Sequence, residues 1–218
     1  MGIMSTYLRQ QKLKTILLFI VFYSVGVAGV WIPATQGVFI AMIPVVLLMS
    51  FIAILLFHRS LNSRNTRLVF FTIILVSYLV EVAGVNSQMI FGNYIYGNGL
   101  GLKILGTPLV IGINWAMLVY CSASIMERLK LHVIVQIFFA SVIMILYDVV
   151  LESVAPFLDM WYWNGNIVPL QHYFAWFFLA LVFHGMVKWK KVKTENPLAP
   201  AIFICQFLFF VAILLFVK

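Results

Sequence analysis

Asp148 and Glu152 stand four residues apart in the stretch LYDVVLESVAPFLDMWYWNGN, residues 146–166. On a helix that spacing puts both carboxylates on one face, one turn apart. They are two of only six acidic residues in the chain. A third, Glu81, follows the apolar run that begins near residue 68. An ionised carboxylate inside hydrocarbon costs several kcal/mol unless it is paired, so it is protonated there or serves a function. No Lys or Arg lies at the depth of Glu81, which is therefore expected in the neutral form that a proton donor needs. A purely structural role for it would be a hydrogen bond to Ser77, Tyr78 or Asn114. Asp148 and Glu152, if they face each other closely, titrate as a pair and hold one proton between them.

The elements that must position these acids follow from composition. Apolar residues make up 64% of the 218, and charged residues 9%. So little charge cannot cover a soluble domain of this length, so the solvent is lipid. Apolar runs near 15–31, 37–57, 68–87, 105–126, 131–154, 169–187 and 198–217 are each long enough for a spanning helix. The expected fold is an all-α, multi-pass transmembrane helix bundle of about seven spans, a single integral-membrane domain over 1–218. The first run is read as a span and not a cleavable signal, because Trp31 and Pro33 close it like a membrane interface.

The net charge of +8 is a topology signal and not a nucleic-acid signal. Arg9, Lys12 and Lys14 precede the first span, and Arg59, Arg64 and Arg67 join the second to the third. Arg128 and Lys130 join the fourth to the fifth; Lys188, Lys190, Lys191 and Lys193 join the sixth to the seventh. Of 14 Lys and Arg residues, only Lys103 and Lys218 fall elsewhere. The positive-inside rule then predicts a cytoplasmic N-terminus and an external C-terminus. The expected location is a bacterial inner membrane, with membrane lipid as a partner.

That orientation sets depth at about 1.5 Å per residue. Glu81 is expected roughly 20 Å along the third span, Asp148 roughly 25 Å up the fifth, and Glu152 one turn higher, near the surface. Asn114 is expected roughly 14 Å below the outer surface. His172 and Trp176 enter the sixth span one above the other. Polar groups thus converge on the outer half of the bilayer, and the site-bearing segments lie within 77–176. External segments FGNYIYGNGLG and DMWYWNGN carry Tyr94, Tyr96, Trp161 and Trp163. These rings form either an interfacial aromatic belt or the roof of a pocket. Cys121 and Cys205 are expected as small core residues, and His58 and His132 as interfacial. His184 lies away from the cluster. Metal-ligand spacings, phosphate-binding glycine loops and nucleophile triads are absent, so no metal and no cofactor is expected.

A neutral carboxylic acid walled by aromatic rings can protonate an electron-rich alkene. The tertiary carbocation formed is stabilised by ring faces and a nearby carboxylate. A positioned water turns it into an alcohol; without water it cyclises or loses a proton. Glu81 as acid with Asp148 and Glu152 positioning water is one division, and the reverse is equally compatible.

The motifs EVAGVNSQMIFGNYIYGNGLG, GTPLVIGINWAMLVYCSA, YDVVLESVAP, WYW and VPLQHYFAW together resemble the integral-membrane carotenoid hydratase family. That family includes γ-carotene 1′-hydroxylases and bisanhydrobacterioruberin hydratases. The resemblance runs from the third span through the sixth; the first two spans and the last match only in being apolar. It implies cofactor-free addition of water to the terminal double bond of an acyclic carotenoid end, of γ-carotene or lycopene type. The matching positions are Glu81, Gly84, Phe91-Gly92, Tyr94, Tyr96, Pro108, Asn114, Trp115, Asp148, Trp161, Trp163, Pro169 and Trp176. The chain departs from the family pattern at Glu152-Ser153, where Asp-Pro is common, and at His172, where Asn is. The expected catalytic residues are Glu81, Asp148 and Glu152. Asn114, Tyr94, Tyr96, Trp115, Trp161, Trp163, His172 and Trp176 are expected to bind the carotenoid. A carotenoid end-group cyclase shares the first protonation step, and a proton-coupled transporter or a non-catalytic membrane partner would also place acids in the membrane. The acids gather in one leaflet with no inverted repeat, which speaks against transport.

Overall fold

In a computed structural model the chain is described at residues 11–58, 60–61 and 63–217. Arg9, Arg59 and Lys218 of the topology argument lie outside the described residues. Eight α-helices are present among them: α1 (Lys12–Trp31), α2 (Pro33–Ala41), α3 (Ile43–Phe57), α4 (Arg64–Ser87), α5 (Val110–Glu127), α6 (Val133–Val154), α7 (Leu170–Trp189) and α8 (Ala199–Phe216). Six are long and apolar enough to cross a membrane, and the pair α2–α3, bent by 51°, has the form of either a broken seventh span or a re-entrant loop. The all-α multi-pass bundle expected from composition is the observed fold.

Two spans differ from their expected form, and proline chemistry explains the first. Pro33 opens α2 and Pro44 opens α3, each in the first turn where its missing N–H costs nothing. The prolines cannot continue a preceding helix, so the run expected near 37–57 falls on two helices that together begin at Pro33. The fourth span starts at Val110 and not 105, because Lys103–Ile104 (β2) pairs with Thr107–Pro108 (β3). Leu105 and Gly106, both at positive φ, make the two-residue turn between them. Asn114 is therefore only about 6 Å into its helix, shallower than expected.

Helix α5 is buried over nearly its whole length and packs against α3, α4, α6, α7 and α8. Gly112 allows part of this: a Cβ there would collide with the backbone carbonyl of Ile74 on α4. The outward faces of α1, α3, α4, α7 and α8 expose Leu18, Leu48, Leu79, Phe178 and Leu208, as lipid-facing helices should.

The segments between α4 and α5 and between α6 and α7 meet as a short antiparallel ribbon. Tyr94–Tyr96 (β1) pairs with Trp161–Trp163 (β4) in the register Tyr94↔Trp163, Ile95↔Tyr162, Tyr96↔Trp161. The period of two turns Tyr94, Tyr96, Trp161 and Trp163 inward, while Ile95 and Tyr162 face out. Gly92, at φ 110°, seats the ribbon at its start, where a Cβ would press to 2.7 Å from Pro169.

The opposite end of the bundle carries the basic loops. Lys188 Nζ donates to Glu127 at 2.7 Å and to Gln136 at 2.5 Å. Arg128 donates to the Asn196 carbonyl at 2.9 Å, and Asn65 to the Lys190 carbonyl at 3.2 Å. His58 stands at the end of α3, as its place in the sequence predicts, but is buried there, 2.7 Å from the Tyr120 hydroxyl. His184 ties α5, α6 and α7 together, with Nε2 2.8 Å from Ser122 Oγ and Nδ1 3.1 Å from Ser141 Oγ. His132 does sit at a helix end, accepting from the Ile134 amide at 3.4 Å as the N-cap of α6. Cys121 is buried and Cys205 only half-buried.

Candidate functional site

The inward faces of the ribbon close over three buried acids. From α4, Glu81 accepts from both phenols of β1, Tyr94 at 2.7 Å and Tyr96 at 2.9 Å on Oε2. On Oε1 it accepts from the Trp115 indole of α5 at 3.2 Å. Burial first, then the neighbouring Glu81, pushes both phenols above their ordinary pKa, so they remain neutral donors. None of Ser77, Tyr78 and Asn114, the structural partners expected for Glu81, bonds it. Ser77 donates to the Ile73 carbonyl and Tyr78 to the Ile104 carbonyl. Three donors thus converge on the two oxygens of Glu81, and because a phenol oxygen also accepts, the same contacts can satisfy Glu81 with or without its proton.

The pair on α6 is not the simple two-carboxylate contact that spacing suggests. His172 of α7 stands between them, with Nε2 2.8 Å from Asp148 Oδ2 and 3.0 Å from Glu152 Oε1. Glu152 Oε2 accepts the indole N–H groups of Trp161 at 2.9 Å and Trp163 at 2.7 Å. Glu152 is 5% exposed, which removes the expectation of a solvated surface acid. Of the two His172 contacts only that to Asp148 has hydrogen-bond geometry, and Asp148 Oδ1, Glu152 Oε1 and His172 Nδ1 have no hydrogen-bond partner among the described residues. Trp176, one turn below His172, stacks on Trp115 with ring centroids 4.2 Å apart.

Glu81, Tyr94, Tyr96, Asn114, Glu152, Trp161, Trp163, His172 and Trp176 line one cavity of about 20 Å³, with Ile111 as its further wall. The structure thus brings every expected site residue into one connected group. Two lie outside the lining: Trp115 behind Glu81 and Asp148 behind His172. The choice between belt and roof is settled by strand register: four rings form a roof, and only Tyr162 faces outward, donating to Asp159 Oδ1 at 2.8 Å.

Asp148, Glu152 and His172 offer ligand atoms within 4.8 Å of one another, a set able to hold a metal ion. No spacing announces it, since two ligands come from α6 and the third from α7. Its Nε2 sits at hydrogen-bonding distance from both carboxylates. Its Nδ1 lacks the outer partner that ordinarily orients a metal-bound imidazole.

Fold and site together define a multi-pass membrane protein that keeps a carboxylate–imidazole–carboxylate cluster and a second, hydrogen-bonded carboxylate beneath an aromatic ribbon. The family described as carotenoid biosynthesis protein matches residues 37–218, and the chain belongs to that family. Its role is in carotenoid biosynthesis. The match reaches past the third-to-sixth-span motifs to take in most of the second span and all of the last. No curated protein and no solved structure matches the chain.

Proposed function

We propose that the protein is a carotenoid 1′,2′-hydratase, adding water to the terminal double bond of an acyclic end of γ-carotene or lycopene type to give a tertiary alcohol. The observation that carries this reading is one cavity with a proton-holding cluster on one wall and a hydrogen-bonded carboxylate on another. The Asp148–His172–Glu152 cluster holds a proton among three groups, and Glu152 and His172 present it to the cavity. Proton transfer to the alkene creates the tertiary cation between the faces of Trp163, Trp176 and Tyr94, with Glu81 offsetting its charge. Water adds to the cation, and the released proton passes to Glu81 as general base. This is the reverse of the division that makes Glu81 the acid, and it is supported by His172 lying between two carboxyl groups, where a proton can be held. Asp148 acts through His172 as a positioning residue.

The 20 Å³ cavity holds a water but not an isoprenoid end, so entry of substrate requires its walls to move apart. The site lies at the end of the bundle opposite the basic loops, which the positive-inside rule puts toward the outer leaflet of a bacterial inner membrane. A cyclase would need this cavity dry, and its convergent polar groups favour hydration over cyclisation.

The test is the mass of pigments in a carotenoid-producing bacterium expressing the chain, with γ-carotene and lycopene supplied in turn. The expected product is heavier by one water, and is abolished by Glu81→Gln and Asp148→Asn while the folded proteins persist. Membranes treated with a chelator are expected to keep the activity, whereas a metal at Asp148, Glu152 and His172 would make it chelator-sensitive. An isomer of unchanged mass would establish cyclisation instead.

A further inference from the structure

Beside the acid cavity lies a second one, also of about 20 Å³, and the two share Ile111, Asn114 and Trp161 as their common wall. Three residues on its lining carry a polar atom with no hydrogen-bond partner among the described residues. They are Asn114 (Oδ1) from α5, Tyr147 (hydroxyl) from α6 and Gln206 (Oε1) from α8. All are more than nine-tenths buried, at 7%, 1% and 2% exposure. The rest of the lining, apart from Trp161, is aliphatic, Met or Phe side chains, including Leu47, Leu100, Leu151, Met160 and Phe210.

Buried polar atoms left bare cost more than an ordinary hydrogen bond yields, and three from three helices on one cavity do not arise from apolar packing. The volume is that of a single water, and a buried water typically makes two to four hydrogen bonds. The donor balance also fits. A water can donate one hydrogen to Asn114 Oδ1 and the other to Gln206 Oε1, and accept the phenolic hydrogen of Tyr147. Its remaining lone pair is then free.

We infer that Asn114, Tyr147 and Gln206 hold one water, and that this water is the oxygen source for hydration; the second clause rests on the proposed function. Asn114, which lines both cavities, hands the water from its seat to the acid cavity. There the alkene π pair takes a proton from the Asp148–His172–Glu152 cluster, forming the C–H bond. A water lone pair forms the C–O bond to the cation, and the oxonium proton goes to the Glu81 carboxylate. Glu81 then returns that proton to the cluster across the cavity that both line, so the sum is substrate plus water, with no other reactant. Tyr147 and Gln206 are positioning residues in this scheme, and nothing in their apolar sequence surroundings marks them.

The experiment uses the whole protein with Tyr147→Phe, Gln206→Leu and the double substitution, and Gln206→Glu as the conservative variant that keeps an acceptor oxygen. Thermal unfolding in detergent is expected to show that the two single changes are not additive, because they share one bridging water. Additive shifts, or a rise in Tm on Tyr147→Phe, would overturn the water site. In the pigment assay the hydrated fraction is expected to fall at least tenfold in the single variants, with dehydrated or cyclised isomer taking its place, and to recover partly in Gln206→Glu. An undiminished hydrated fraction would overturn the role of the water. If the unsubstituted chain hydrates no carotenoid, the proposed function and this role fall together, while the unfolding cycle still decides the site.

Discussion

Glu152 takes two indole N–H groups on a single oxygen, and Glu81 takes two phenols and an indole. Neutral donors of this kind hold carboxylates in place within a membrane without supplying a Lys or Arg that would lock the charge. Their removal should be graded and not fatal. Trp161→Phe keeps the ring and deletes one of the two donors to Glu152. A hydrogen bond to a charged acceptor contributes about 1.5–3 kcal/mol, so a loss of about ten- to a hundredfold in the proposed hydration rate is expected. The measurement is product formed per folded protein, and a loss as complete as that of Glu81→Gln would mean that the indole does more than hold the acid. His172 shows where residue types alone run out. Its sequence neighbours, Gln171 and Tyr173, say nothing of acids, yet its ring bridges two of them.

At the scale of elements, four helices and one ribbon must arrive together. Glu81 rides on α4 and Trp115 on α5, and the two helices approach closely at Gly112. Gly112→Leu would drive a side chain into the Ile74 carbonyl, a backbone atom that cannot turn aside. The expected cost is about 1–3 kcal/mol of stability, read as a lower Tm and less folded protein in the membrane. Hydration per folded molecule should fall as well, since Glu81 and Trp115 would separate. An unchanged Tm would show that α4 and α5 do not need this approach. The ribbon is the least regular part and the most consequential, because strands of three residues select which aromatic faces meet the acids.

For the whole molecule, polarity is divided between two ends. One end holds the acids under their aromatic roof; the other holds Glu127, Lys188, Arg128 and Asn196 in a basic loop network. The proposed orientation puts the first end outside. Single cysteines at Ile167, which is 74% exposed near the site, and at Lys191 in a basic loop test it on intact cells. A membrane-impermeant thiol reagent is expected to label Ile167→Cys and to spare Lys191→Cys. The opposite pattern would invert the protein and place the reaction at the cytoplasmic leaflet.

Composition and patterning along the chain were enough for the membrane class, for most of the spans to within a few residues, and for the set of polar residues that had to meet. Those follow from apolar run length, from loop charge and from the cost of an acid in lipid, all of which act locally along the chain. The pairings came from packing in three dimensions. The proline break between α2 and α3 and the late start of α5 arise from turn chemistry that an apolar run conceals. His172 between Asp148 and Glu152, the phenols on Glu81, and Tyr147 and Gln206 on the second cavity depend on which faces of separate helices are packed together. The roof depends on a register between strands more than sixty residues apart. No local spacing carries that information, because side-chain contacts across helices are set by packing and not by sequence distance.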